Sequence, residues 1–334
     1  MMIDKTKCPY RLTPRRPVTG RGRGSTVDTL AIVLEEPGQL ALRRLALTAM
    51  GPADVLIEIA WSGISAGTEK LLWSGKMPAF PGMGYPLVPG YESVGRIVDA
   101  GPEVRARIGE WVFVPGANCY EGARGLFGGS ARRVLLPSAR AIPVDESLGA
   151  DGILTALAAT AYHAVAGGAL PELVIGHGIV GRLAARITVA LGAPAPTVWE
   201  TNPDRRDASG YAVIDPAQDE RRDYATICEA SGASDILDAI VPRLAKRGEI
   251  VLAGFYDRLG FAFPPAFQRE ARLRISAEFT PADVAATTAL IASGALRLDG
   301  LISHLRPAAE AADAYPAAFG DPACLKMVLD WSAV

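Results

Sequence analysis

The chain has 334 residues, 49% of them hydrophobic and 21% charged, which is enough apolar material for roughly two domains of about 150 residues and excludes a disordered or fibrous protein. The formal charge is −2, but residues 1–28 hold seven Lys or Arg against Asp4 and Asp28, a local +5 that leaves −7 for the remainder and excludes a nucleic-acid-binding body. Cys8, Cys119, Cys228 and Cys324 are scattered without a C-x-x-C pair, which speaks against a disulfide framework or a four-thiolate zinc site, and reduced thiols of this kind suit the cytoplasm.

In chain order, residues 1–28 carry Arg, Pro and Gly without an apolar run and read as a flexible basic tail, not a secretory signal. From 29 to 147 the pattern is β-rich. TLAIVLEEPGQLALRRLAL reads as two strands joined at Pro37 and Gly38, and DVLIEIAWSGI as a third; VGRIVDAG, EWVFVP and ARRVLLP follow, separated by the turns PGMGYPLVPG and GPEVRARIGE. From 148 to 280 helices and strands alternate: an apolar helix at 152–166, ELVIG, a helix at 179–191, TVWE, YAVID, ATICEAS, a helix near 234–246, EIVLAG and LRISAEF. That alternation predicts an α/β, doubly wound parallel sheet. The uncharged run from Gly152 to Pro171 is long enough to span a bilayer, but Ala and Gly dominate it and Thr155, Thr160 and His163 interrupt it, so it reads as a buried soluble helix. From 281 to 334 come a helix, an extended LISHL, a second helix and the strand-like CLKMVLDW, which is expected to rejoin the first domain.

In LVIGHGIVGRLAARI, Gly176, Gly178 and Gly181 form G-x-G-x-x-G between an apolar strand and a helix. The first glycine permits a tight turn, the second lets the backbone approach a pyrophosphate, and the third lets helix pack on strand, with the N-terminus at Ile179 and Val180 facing the phosphates. Glu200 stands twenty-four residues after Gly176, at the end of the next strand. A carboxylate there accepts hydrogen bonds from ribose hydroxyls and repels a 2′-phosphate, which favours NAD. Arg205 and Arg206 follow and could serve a phosphate instead, the NADP alternative. His177 reads as a passenger in the loop, and His163 and His304 as satisfied packing residues.

A strand-rich domain, a nucleotide-binding domain and a chain that returns to the first are the layout of the medium-chain dehydrogenase/reductase superfamily, which this chain resembles from about residue 29 to its end. The resemblance implies a GroES-like catalytic domain at 29–147, a Rossmann domain at 148–280, a return at 281–334, and a homodimer. SGISAGTE and PGYESVGRIVDAG resemble segments that carry zinc ligands in alcohol dehydrogenases. Aligned on Gly67, Thr68 and Glu69, the Cys place holds Ala66, or Ser65 with a shifted gap; the His place holds Tyr91, and the third place Ala156. Ala cannot ligate and neutral hydroxyls bind Zn²⁺ poorly, so a metal-free member is expected.

AWSGISAGTEKLLWSGKMPAFPGMGYPLVPGYESVGRIVDAG resembles, more narrowly, the 3-hydroxyethyl bacteriochlorophyllide dehydrogenases of bacteriochlorophyll biosynthesis. That resemblance implies oxidation of a 3-(1-hydroxyethyl) side chain to 3-acetyl with NAD. The superfamily resemblance matches Thr68 to the relay hydroxyl of the zinc enzymes, so Thr68 is expected to orient the alcohol; a Thr hydroxyl is a weak base, so Tyr91, its pKa lowered by Lys70, or Glu69 is expected to accept the proton, with Glu92 beside them. Glu69 and Glu92 could equally be structural carboxylates. For the flat macrocycle and its propionate, Met77, Phe80, Met83 and Tyr85 suit a pocket, and Lys70 or Lys76 the carboxylate. Trp61 reads as core. Two rival readings stay open, a zinc-free NADPH enone or quinone reductase and a non-catalytic nucleotide-binding pigment carrier.

Overall fold

The computed structural model describes residues 27–207 and 210–334, so the expected basic tail lies outside the described residues but for its last two. The chain divides into two units, Met1–Leu154 with Ile302–Val334, and Thr155–Leu301.

The first unit opens with an antiparallel hairpin of β1 (Asp28–Glu36) and β2 (Gln39–Ala46), whose turn passes Gly38 at φ +77°. There follow β3 (Asp54–Ile64), the short α1 (Thr68–Trp73), β4 (Leu87–Val88), β5 (Ser93–Ala100), β6 (Trp111–Val114), β7 (Arg124–Gly125), β8 (Arg133–Pro137) and β9 (Ile142–Pro143). Branched apolar residues such as Ile57, Ile59, Val112 and Val134 alternate inward and are fully buried, as the pleat requires. At Gly95 the strands β3 and β5 approach so closely that a Cβ would lie 2.0 Å from the Glu58 carbonyl oxygen, so no other residue fits there.

The second unit runs α2 (Thr155–Ala166), β10 (Leu173–Ile175), α3 (Ile179–Ala190), β11 (Thr197–Trp199), β12 (Val213–Ile214), β13 (Tyr224–Glu229), α4 (Leu237–Ile240), β14 (Leu244–Leu252), α5 (Phe263–Arg269), β15 (Arg272–Ile275) and α6 (Pro281–Ala292). Its six strands are parallel in the order β12-β11-β10-β13-β14-β15. The chain therefore winds outward in both directions from β10, and the ends of β10 and β13 frame the crevice where such sheets bind ligands. Among the described residues no helix is long and apolar enough to cross a membrane.

The chain then returns to the first unit with β16 (His304–Pro307), α7 (Ala311–Gly320) and β17 (Met327–Asp330). β17 pairs antiparallel with β3 and completes a seven-stranded sheet, with β16-β17-β3-β5-β6-β9 in line and β8 beside β3; β2-β1-β4-β7 form the other sheet. Trp331, fully buried, donates its indole N–H to Ser62 Oγ at 2.8 Å.

Three expectations differ from the structure. The apolar helix begins at Thr155, after a 3₁₀ stretch over 146–154, and the unit boundary falls with it rather than at 147. The return begins at Ile302 and not at 281, because α6 packs on α2 within the second unit. The helix expected near 234–246 is a single turn: Pro242 has no N–H to continue it, and β14 starts at Leu244.

If the returning strand closes the first unit, Trp331→Ala should lower the unfolding free energy by about 3–5 kcal/mol. Denaturant unfolding measures this, and a loss below about 1 kcal/mol would contradict it.

Candidate functional site

In the second unit, Gly176 adopts φ +90°, and a Cβ on it would lie 2.9 Å from Ser231 Cα. Gly178 caps α3, with no heavy atom within 4 Å of where its Cβ would stand. A Cβ on Gly181 would lie 1.8 Å from the Gly176 carbonyl oxygen, so the helix can meet the strand only through glycine. The first-turn N–H groups of Ile179 and Val180 have no partner within the helix. An open space over a glycine, beside a helix N-terminus, fits a dinucleotide pyrophosphate. Glu229, fully buried at the end of β13, accepts from the Ser231 N–H at 2.7 Å and so holds Ser231 beneath Gly176; burial pushes its carboxyl pKa up.

Glu200 follows β11 and is half-buried. Its Oε2 accepts from the His177 N–H at 3.0 Å and its Oε1 from the Asn202 N–H at 2.8 Å, which leaves lone pairs for ribose hydroxyls. Arg206 is committed elsewhere, to Asp215 at 2.6 Å and to the carbonyls of Glu200 and Thr201 at 2.7 and 2.8 Å, so of the two arginines considered for a phosphate this one is already engaged. Arg205 contributes its carbonyl, which accepts from His177 Nδ1 at 2.6 Å. His177 is no passenger: its ring is fully buried, with both nitrogens bonded, and burial lowers its pKa. His163 bonds Asp283 at 2.9 Å and His304 bonds Ser303 at 2.9 Å, each in a packing role.

In the first unit, the start of α1 brings the named hydroxyls together. Ser65 Oγ lies 2.9 Å from the Tyr91 hydroxyl and 3.4 Å from the Thr68 N–H. Tyr91 stacks edge-on against Phe127 with centroids 5.5 Å apart. Glu69 is fully buried; its Oε1 accepts from the Ser65 N–H at 3.1 Å and its Oε2 from the Tyr315 hydroxyl at 2.6 Å. Burial pushes the Glu69 pKa from 4.5 up to about 7; the bonds from Tyr315 and Ser65 pull it down and neighbouring Glu92 adds to the rise. Glu92, also fully buried, forms an ion pair with Lys326, which donates in addition to the Ile64 carbonyl at 3.0 Å. Gly63 makes room for that pair, since a Cβ there would lie 2.6 Å from Glu92 Oε2.

Several assignments made from sequence change here. Tyr91 is not acidified: burial first, and Glu92 second, push its pKa well above the usual phenol value. Lys70 is exposed and donates to the Phe319 carbonyl at 3.2 Å. Met77, Met83 and Tyr85 pack on a cluster of Leu34, Leu72, Leu87 and Leu126, and Tyr85 also donates its hydroxyl to the Leu72 carbonyl, so these three have a packing role; Phe80 remains 38% exposed, and Lys76 is exposed. Trp61 stacks on Trp111 at 5.8 Å. At the places where zinc ligands would stand, Ala66 is exposed, Tyr91 lies in the hydroxyl cluster and Ala156 is buried in α2. Among the described residues no group of three or more His, Cys, Asp or Glu could hold a metal.

Sequence reasoning missed Tyr315 and Lys326. A signal existed for the second, because a lone lysine inside the apolar run CLKMVL is either exposed by alternation or buried and paired.

Residues 51–146 match the alcohol dehydrogenase GroES-like domain. The chain is 56% identical over 310 residues to the 2-desacetyl-2-hydroxyethyl bacteriochlorophyllide A dehydrogenase of Rhodobacter capsulatus, covering 91% of this chain and 99% of that one. It is 55% identical over 314 residues to the protein of the same name from Cereibacter sphaeroides, again covering 91% and 99%. In fold it is similar to an Escherichia coli alcohol dehydrogenase complexed with NADH (TM-score 0.78, 20% identity, 91% and 99% covered). It is likewise similar to a Sinorhizobium meliloti putative zinc-binding dehydrogenase bound to NADP (TM-score 0.77, 20% identity, 91% and 100% covered).

Glu69 makes the first unit's stability depend on pH. Its folded pKa of about 7 lies above 4.5, so the stabilisation is full below pH 4.5 and is lost as pH rises through 7. Compared with Glu69→Gln, the wild type should lose about 2–3 kcal/mol between pH 5 and 8 by denaturant unfolding. Parallel pH curves for the two proteins would show that the carboxyl does not titrate there.

Proposed function

The chain belongs to the family of 2-desacetyl-2-hydroxyethyl bacteriochlorophyllide A dehydrogenases, and on that premise we propose that it oxidises the 3-(1-hydroxyethyl) group of a chlorophyllide or bacteriochlorophyllide to 3-acetyl, with NAD, in bacteriochlorophyll a biosynthesis. The observation that carries this reading is 56% identity along 99% of the relative's length. Dehydrogenase activity with a nicotinamide cofactor follows from the family; the choice of NAD rests on Glu200, whose carboxylate suits a 2′-hydroxyl and opposes a 2′-phosphate.

The reaction removes a hydride and a proton from one carbinol. NAD, which the loop of Gly176, Gly178 and Gly181 and the Glu200 carboxylate would hold, would supply the hydride acceptor. The proton is the task of this chain's side chains. Thr68 and Tyr91 orient the alcohol and relay its proton as neutral hydroxyls, for a phenol whose pKa is raised gives up its own proton only as it receives another. Glu69, with a carboxyl near neutrality, is the acceptor best matched to the working pH. The Glu92–Lys326 pair acts on it from the same buried region, so its part is electrostatic. With Ala66, Tyr91 and Ala156 at the former ligand places, we read the enzyme as metal-independent. We also read it as a cytoplasmic homodimer; β15 is the last strand of its sheet, with Ile275 79% exposed, and suits a second copy.

The direct test incubates purified protein with the hydroxyethyl pigment and NAD or NADP and follows the pigment by mass spectrometry. A product lighter by two hydrogens, formed faster with NAD, is expected; no conversion with either cofactor would overturn the reading. For the proton route, Thr68→Val and Tyr91→Phe should each lower kcat by roughly 10²-fold. A base is active when ionised, so kcat should fall below about pH 7, and Glu69→Gln should abolish that limb. Wild-type kcat in both hydroxyl variants would mean that the proton leaves through water.

A further inference from the structure

We propose that His177 is a positioning residue for coenzyme choice: with Tyr211, Arg182 and Asp207 it clamps the segment after β11 to the glycine loop and so fixes the Glu200 carboxylate at the place where the ribose 2′ position is read. The inference rests on the NAD reading above and deepens it.

A glutamate on a surface loop discriminates poorly by itself, because its side chain can rotate away from an unwelcome phosphate. Here it is held. Both Glu200 oxygens accept backbone N–H groups, one from His177 within the glycine loop and one from Asn202 in its own segment, so the carboxylate stays put only as long as these two stretches keep their separation. Four side-chain contacts keep it. His177 Nδ1 lies 2.6 Å from the Arg205 carbonyl, which can only accept, so Nδ1 carries the proton. Nε2 is then the acceptor and takes the Tyr211 hydroxyl at 2.9 Å, the two rings meeting edge-on at 5.6 Å. Arg182 Nε donates to the His177 carbonyl at 3.0 Å, and its two terminal nitrogens grip Asp207 in a bidentate pair at 2.9 and 2.5 Å.

The ring of His177 is fully buried and Arg182 is 5% exposed. His177 therefore acts without touching the nucleotide, through the placement of the backbone and of Glu200. The arrangement also accounts for two residue types inside the motif G-H-G-I-V-G-R that phosphate binding does not ask for. A histidine and an arginine at these positions turn the pyrophosphate loop into an anchor for the ribose-reading segment.

The test measures affinity, not turnover. Full-length protein is titrated calorimetrically with NAD, NADP, ADP-ribose and 2′-phospho-ADP-ribose, with Tm recorded for each variant. In the wild type the unphosphorylated ligands should bind more tightly, and Glu200→Ala should remove that preference. His177→Ala should reduce the NAD-to-NADP affinity ratio by roughly tenfold, and Tyr211→Phe by about threefold. His177→Asn, which keeps a donor near Nδ1, should fall between wild type and His177→Ala. Adding Glu200→Ala to His177→Ala should change the ratio no further, as expected for residues acting as one unit. A purely structural histidine would instead lower Tm and weaken all four ligands alike; an unchanged ratio in both His177→Ala and Tyr211→Phe overturns the proposal. If His177→Ala does not fold, Tyr211→Phe, which loses one oxygen, decides alone. A wild type that favours NADP, or a Glu200→Ala that keeps the preference for NAD, overturns the parent reading and the clamp with it.

Discussion

The buried pairing of Glu92 with Lys326 is the constraint around which the first unit is arranged. Two oppositely charged groups have been taken out of water, and removing either alone would leave a stranded charge at a cost of about 3–5 kcal/mol. The pair therefore demands that the chain come back: Lys326 directly precedes β17, more than two hundred residues after β5, which begins beside Glu92. It demands Gly63 as well, because any side chain there would occupy the space of the carboxylate. The same return brings Tyr315 on α7 to Glu69. The acid near neutrality, its phenol partner and the electrostatic surroundings of both thus follow from one strand taking its place beside β3.

On the metal-independent reading proposed above, a cluster of hydroxyls would stand where related dehydrogenases hold a metal, and that changes what must be tuned. A metal acidifies the alcohol itself. In the proposed proton route the hydroxyls of Ser65, Thr68 and Tyr91 orient and relay, and the driving force for deprotonation would come from Glu69, a carboxyl whose pKa burial has raised toward neutrality. A ketone conjugated with the macrocycle is a favourable product, which lowers what is asked of that base. Desolvation does two things at once in this region: it keeps the Tyr91 phenol protonated and makes Glu69 a better proton acceptor.

The nucleotide loop shows how steric and polar constraints share one motif. Gly176 and Gly181 are set by distance, since a Cβ at either would collide with the backbone of a neighbour; Gly178 is set by the open space above it. His177 and Arg182 are set by hydrogen bonding, and their partners lie on the segment from Glu200 to Tyr211. The parallel strand order makes this possible by placing the end of β11 next to that of β10.

The alternation of apolar and polar residues is a local property, and so the hairpin at Pro37 and Gly38, the strands DVLIEIAWSGI and VGRIVDAG, the doubly wound sheet and the glycine loop were all legible in the sequence. Glu200 was legible for the same reason, being a short and regular distance from its loop. Where local signals competed, as at Pro242 within an otherwise helical pattern, element type and length were misjudged; where a boundary depended on packing, as for α6 against α2, the sequence carried no mark of it. The site divides along the same line. Thr68, Glu69, Tyr91 and Glu92 stand out because they sit in recognisable strings, but whether Tyr91 is acidified or Glu69 neutralised depends on burial and on Tyr315 and Lys326, which no spacing connects to them. By itself the sequence determined the fold class, the glycine loop and the family; only the tertiary structure decided protonation, partners and packing roles, because desolvation and charge pairing act across space between residues far apart along the chain.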